Sequence, residues 1–300
     1  MKNPMRSIVW CLVALAAIGW SGEAAGCTSI TVGKEASTDG SVMTSHTCDS
    51  HRTASSIEVV PPAQYAAGVE ITLTKRTDDD SGPMERYGRE VTGSIPQVEK
   101  THGYLNPAYA SMNEHQVAIS ESTFGGREEL VSRVGIIDCE TLTRLMLERA
   151  STARQAITVA GDLLENHGWV DEGEALVVTD PDEAWMFEVV GPGPDEVGAV
   201  WVAQRIPDDH VAVMANCSRI GEIDLDDPDQ VMASENDKSF AAEQGYWEPD
   251  SGEPIRDWQA YDPDGNYSFS CSRRVWLVFD LLAPSLELNA NQGVFPVSVK

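Results

Sequence analysis

Gly26-Cys27-Thr28-Ser29-Ile30-Thr31-Val32-Gly33 is the stretch from which the fold is read. It is rich in Thr, Ile and Val and alternates in character, which predicts a strand. It directly follows an apolar leader that ends in Ala24-Ala25-Gly26, a run of small residues typical of a cleavage site. Cleavage after Gly26 would make Cys27 the first residue. A terminal Cys carries a thiol and an α-amino group together, a nucleophile with its own base. An unperturbed α-amine has a pKa of about 7.7–8.0, so near neutral pH part of it is free to accept the thiol proton.

The leader itself has a basic start at Lys2 and Arg6. An apolar run from Ile8 to Trp20 follows, short for a bilayer span. The expectation is a signal peptide over residues 1–26 and an exported domain over residues 27–300, secreted or periplasmic. Ala24-Ala25-Gly26-Cys27 also matches the box at which bacterial lipoproteins are cut and lipidated, except that Ala24 stands where Leu is usual. Lipidation of Cys27 would block thiol and amine together and exclude catalysis by either.

The 300 residues carry a formal charge of −27 and are 42% hydrophobic. That is enough apolar residue for a sizeable core, and a charge that argues against binding nucleic acid or anionic membrane surfaces. Six cysteines are present. Cys11 lies in the leader. Cys48, Cys139, Cys217 and Cys271 allow up to two disulfides in an oxidising compartment, or stand as buried free thiols. The six His show no helical pair with a Glu between them, and no Cys-x-x-Cys box or glycine-rich phosphate loop occurs, so no metal or organic cofactor is expected.

Asp39-Gly40 predicts a turn, with Val42 to Thr47 as the returning strand of a hairpin that brings Asp49 near Cys27. Short strands are expected at Ile57–Val60 and Val69–Lys75. Asp78 to Pro83 reads as a solvated loop, and residues 91–110 as extended or loop structure. Gln116 to Ser120 reads as a strand ending in the glycine loop Phe124-Gly125-Gly126-Arg127. Two amphipathic helices are expected at Asp138–Ala150 and Thr152–His167, the second capped by Gly168. Ala175–Thr179 pairs with Ala184–Val190, and Ala199–Arg205 with Val211–Ala215, as meanders. Residues 221–267 are acidic and read as surface. Ser272–Leu282 reads as a helix with Val275, Leu277, Val278 and Leu281 inward, and Val294–Lys300 as a strand. The order gives an α+β fold with helices packed on antiparallel sheets.

Beyond Cys27, four positions carry candidate chemistry. A carboxylate at Asp49 would hold and tune a terminal ammonium. His46 is placed to relay a proton or orient the site. Asn216, just past a strand, can donate its amide to an oxyanion. Arg273 or Arg274 can grip a substrate carboxylate with two hydrogen bonds.

Taken together, these residues resemble a known family. Cys27 to Lys34 with Asp39 to Ser50, and Asn113-Glu114-His115-Gln116-Val117-Ala118-Ile119-Ser120-Glu121-Ser122-Thr123-Phe124-Gly125-Gly126-Arg127, resemble two blocks of the C69 dipeptidases, a family of N-terminal-nucleophile hydrolases. Leu147 to Ala150 with Thr152 to Arg154, Gly198 to Ala203, and Tyr267 to Ser285 continue the likeness. The resemblance implies a four-layer αββα sandwich and hydrolysis of small-peptide amide bonds, with a distant relation to penicillin V acylases and bile-salt hydrolases. It implies Cys27 as nucleophile, Asp49 as its carboxylate partner, Asn216 as oxyanion donor and Arg273 as a late arginine, with Arg274 the one-residue alternative. His46 stands where those relatives have Arg. Thr123 falls near their other oxyanion residue. The dipeptidases usually run well beyond 300 residues, so a fragment or a shortened form is expected.

The function expected is therefore an exported cysteine dipeptidase acting on small peptides, with a homo-oligomer left open. The alternatives are a non-peptide acylase of the penicillin V acylase type, and an inactive secreted or lipid-anchored binding protein on the same fold.

Overall fold

The structure, a computed structural model, describes residues 26–49, 56–77, 88–255 and 257–300. The expected leader, the Asp78–Pro83 loop and the side chain of Asp49 lie outside that description. In chain order the strands are β1 (Gly26–Val32), β2 (Met43–Asp49), β3 (Glu58–Val60), β4 (Ala63–Gln64), β5 (Glu70–Thr77), β6 (Gly88–Pro96), β7 (Lys100–Thr101), β8 (Tyr104–Asn106), β9 (Met112–Asn113) and β10 (Ala118–Gly125). Helices α1 (Cys139–Arg149) and α2 (Ala153–His167) follow. Then come β11 (Gly173–Thr179), β12 (Ala184–Val190), β13 (Val200–Ile206), β14 (Val211–Met214) and β15 (Val231–Ala233). The chain closes with α3 (Asp237–Glu243), α4 (Asp257–Tyr261), α5 (Phe269–Leu282) and β16 (Ser298–Val299). None of the helices in the described residues is long and apolar enough to cross a membrane.

Two antiparallel sheets hold most of these strands, and β4–β7 and β5–β6 form two further two-stranded sheets. Of the two larger sheets, one has the order β16-β14-β1-β2, the other β15-β13-β12-β11-β10-β9-β8-β3. Every residue of β11 and β12 is buried, because both faces of that sheet are covered. Leu176, Val178, Trp185 and Phe187 pack with Leu142, Leu145, Ile157 and Leu164 of α1 and α2. The alternate residues Ala175, Val177 and Met186 point the other way, onto Ala212 and Met214 of β14. The smaller sheet is covered in turn on its far face, where Val213 and Ala215 meet Cys271, Val275 and Phe279 of α5. Burial of a Leu- or Phe-sized side chain stabilises by about 1.5–3 kcal/mol, so these seams dominate the fold energetics.

The helix ends follow local chemistry. Asp138 accepts the Thr141 N–H at 2.8 Å, and Thr152 accepts that of Gln155 at 3.2 Å. Gly168 ends α2 at φ 75°, a conformation that favours glycine.

Three expectations are corrected. The strands β13 and β14 do not pair: β13 lies between β12 and β15, whereas β14 lies between β1 and β16. The turn at Pro207–Asp208 carries the chain from one sheet to the other. There Gly33 packs so closely that a Cβ would lie 2.3 Å from the Asp208 carbonyl oxygen. On α5, Leu277 and Leu281 are 49% and 68% exposed, because the inward stripe is Cys271, Val275 and Phe279. Residues 91–110, read as extended or loop structure, hold most of β6 together with β7 and β8. The acidic stretch 221–267 is more than surface: Phe240, Ala241, Ile255, Ala260 and Tyr261 form a core of their own with Leu130, Val190 and Val200.

Candidate active site

The site forms where the first residues of β1 meet three distant segments. Cys27 donates its N–H to Asn216 Oδ1 at 2.8 Å. Its carbonyl accepts from Arg274 Nη1 at 2.7 Å and from Ser122 Oγ at 3.4 Å. The thiol donates to Glu121 Oε1 at 3.2 Å. Cys27, main chain and side chain, is thus held from β10, from the end of β14 and from α5.

Asn216 occupies the left-handed region at φ 55°, which Asn tolerates better than most residues. Its N–H donates to Ser122 Oγ at 2.8 Å and its Nδ2 to the Thr123 carbonyl at 2.6 Å. Oδ1 also accepts both Arg274 Nη atoms at 3.0 Å. Three donors converge on that oxygen, so the orientation of the amide is fixed by its surroundings. Arg274 further donates to Thr28 Oγ1 at 3.0 Å and to the Ala215 carbonyl at 2.8 Å. A disulfide between Cys217 and Cys271 ties the Asn216 turn to α5, three residues before Arg274.

Glu121 is the residue the sequence reading missed. It is 1% exposed, and its Oε1 takes the Cys27 thiol and lies 3.1 Å from His46 Nε2. A carboxylate in the middle of a buried strand is the signal that points to it: Glu174 on β11 and Glu188 on β12 share that oddity, and all three are buried. Glu174 supports the same segment, accepting from Ser122 N–H at 2.9 Å and Thr123 Oγ1 at 2.8 Å. Burial, and then the neighbouring Glu121, push the Glu174 carboxyl well above the usual carboxylate range.

The Cys27 thiol is held well above an ordinary thiol value. The largest cause is a hydrogen bond with the Cys48 thiol, followed by burial and the Glu121 charge. The Cys27 nitrogen is a peptide N–H here, so no α-ammonium offsets those influences.

Of the residues read from the sequence, Cys27, His46, Asn216 and Arg274 come together. Thr123 joins them through its carbonyl, while its hydroxyl turns to Glu174. The backbone of Asp49 pairs with Gly26 in the β1–β2 ladder, one residue before Cys27. Arg273 is the correction: it points away, donating to Asn291 Oδ1 at 3.0 Å and lying 5.0 Å above the Phe269 ring. Helix phase explains this, since Arg274 and Cys271 are three apart and share the face toward Asn216.

Three groups of donors in the described residues are compact enough to hold a metal ion: Cys27 with His46 and Glu121, His102 with Glu114 and His115, and Glu121 with Cys139 and Glu174.

An α+β fold that gathers Cys, Asn, Arg and His around β1 fits a hydrolase. The chain belongs to peptidase family C69, whose profile matches residues 26–300. It is 27% identical over 283 residues to a probable dipeptidase of Salmonella dublin, covering 92% of this chain and 63% of that one. It is 30% identical over 231 residues to a probable dipeptidase of Latilactobacillus sakei, covering 73% of this chain and 45% of the relative. Dipeptidase A of Lactobacillus helveticus is 27% identical over 225 residues, 72% of this chain and 46% of its own. The chain therefore spans between about half and two thirds of the length of these relatives.

Proposed function

We propose that this chain is an exported cysteine dipeptidase of the N-terminal-nucleophile type, with a four-layer αββα sandwich, which becomes competent when cleavage after Gly26 frees the Cys27 amine. One observation carries the reading: the Cys27 nitrogen lies 2.8 Å from Asn216 Oδ1 while the Cys27 thiol points to a buried carboxylate. Once free, that nitrogen remains hydrogen-bonded and oriented by Asn216. When protonated, it supplies the positive charge that brings the thiol pKa down.

The neutral amine takes the thiol proton, and sulfur attacks the peptide carbonyl of the substrate. The Asn216 amide carries two hydrogens. Thr123 takes one, and the other is the donor assigned to the oxyanion. The C–N bond breaks, the leaving amine takes the proton, and water hydrolyses the thioester. Arg274 fixes Cys27 and Asn216 relative to each other. Glu121 and His46 hold the thiol proton in the resting site. Asp49, opposite Gly26 in the ladder, is assigned to the ammonium. The substrates are small peptides, as the names of the relatives suggest.

The test is mature protein with its N-terminus checked by intact mass, assayed on a panel of dipeptides. Cys27→Ala is expected to lower turnover by about 10³-fold or more. A folded, correctly processed Cys27→Ala protein with full activity overturns the reading.

A further inference from the structure

Cys27 faces a second thiol. In the β1–β2 ladder its direct partner is Cys48. Antiparallel strands alternate between pairs that exchange backbone hydrogen bonds and closer pairs that do not. Cys27 belongs to the second kind. Its N–H goes to Asn216 and its carbonyl to Arg274 and Ser122, none of them on β2. The next residue, Thr28, shows the opposite phase, with its N–H turned to Thr47 Oγ1 on β2 at 3.2 Å.

A non-hydrogen-bonded pair sets Cα atoms about 4.5 Å apart, inside the roughly 4.4–6.8 Å span that a disulfide bridges. Directly opposed side chains in such a ladder leave the same face of the sheet. The two thiols share a hydrogen bond, and both are partly exposed. Cys139, the other free cysteine of the described residues, is buried.

We propose that Cys27 and Cys48 form a reversible modification site, in which a small two-electron oxidant of the peroxide class joins them in a cross-strand disulfide that masks the nucleophile. One thiol, as thiolate, attacks the peroxide and becomes a sulfenic acid, and a first water leaves. The second thiol attacks that sulfur, the S–S bond forms, and the sulfenic hydroxyl leaves with a proton as a second water. The two thiols lose two electrons and two protons, and the peroxide is reduced to two waters. A dithiol reductant reverses the bond by exchange. Formation draws Cys27 Sγ from Glu121 toward β2, so the sulfur can no longer attack a carbonyl. The consequence for turnover rests on the dipeptidase reading; the bond itself does not.

The experiment treats the mature full chain with hydrogen peroxide, alkylates it, and maps it without reduction by mass spectrometry. A peptide linking Cys27 to Cys48 is expected, with the Cys217–Cys271 link unchanged and the new link removed by dithiothreitol. Under prolonged peroxide, wild-type Cys27 is expected to be recovered by reductant. In Cys48→Ser, Cys27 is expected to pass to sulfinic acid, which dithiothreitol does not restore. Cys27 oxidised to sulfinic acid in the wild type while Cys48 remains alkylatable overturns the proposal, as does a link from Cys27 to Cys139. The mass readout holds even for a chain that hydrolyses no dipeptide, so failure of the activity reading is separable from failure of this one.

Discussion

Asn216 Oδ1 and the Arg274 guanidinium form a clamp in which both Nη atoms reach one amide oxygen at 3.0 Å, while one of them also holds the Cys27 carbonyl. The planar fork of Arg makes this arrangement possible, and a Lys ammonium does not reproduce it. Arg274→Ala and Arg274→Lys are both expected to lower kcat/KM by about 100-fold, since loss of positioning by an ångström costs that much. Arg273→Ala, on the neighbouring position, is expected to stay within about twofold, as for other surface changes. Dipeptide kinetics on the three variants decide between the two arginines.

Glu121 opposes the thiolate form of Cys27. Glu121→Gln is therefore expected to make the thiol more acidic and to raise its alkylation rate by iodoacetamide near neutral pH by about tenfold. The same change removes the group that shares Cys27 and His46, so turnover is expected to fall by about tenfold or more. A parallel fall in both readouts would instead indicate a collapsed site.

Burial pushes the Glu188 carboxyl up to about 7 from an ordinary 4.5, against hydrogen bonds from Ser218, Arg219 and Ile220 that favour its charged form. A folded-state pKa raised above the unfolded value means that the fold holds the proton more tightly. The stability this contributes is present in full below about 4.5 and is lost as pH rises through about 7, a span worth about 3 kcal/mol. Glu188→Gln keeps two acceptor contacts and a donor to Ser218 without a titrating proton. Urea melts between those pH values are expected to show a flatter stability profile for the variant. Asp237 and Asp262, both raised to about 6 by burial, retain their own slope of the same sign.

The Cys217–Cys271 bond closes a loop with a sequence separation of 54. In the chain-entropy description its loss costs about 4 kcal/mol. Cys271→Ser is expected to lower stability by up to that amount in denaturant titrations. It is also expected to weaken turnover beyond the loss of fold, because α5 then carries Arg274 without its tether to the Asn216 turn.

Part of the candidate site is legible in the sequence. Cys27 stands out because an apolar run and the small residues Ala24-Ala25-Gly26 precede it, and Asn216 because it follows a strand. Arg274 was not separable from Arg273, because one residue of helix phase decides between them and the Cys271 contact that sets the phase is a tertiary one. Glu121 was hidden inside a block quoted for its pattern. Its role appears only when β10 is laid beneath β1. The β13–β14 pairing differs for the same reason: neighbours in sequence usually pair, but here the two strands lie inside different sheets, each between other partners. Helices α1 and α2 were readable in full because caps and periodicity are local signals.

The partners that fix Cys27 lie 94, 189 and 247 residues further along the chain. Contacts of such sequence separation form slowly, since each long loop must close before it is rewarded. A chain emerging from its N-terminus would thus show its thiol long before β14 and α5 exist to grip it. Cys27 is made early and is among the last residues to be set, so an assembled candidate site also reports that the distant segments β10, β14 and α5 have folded around it.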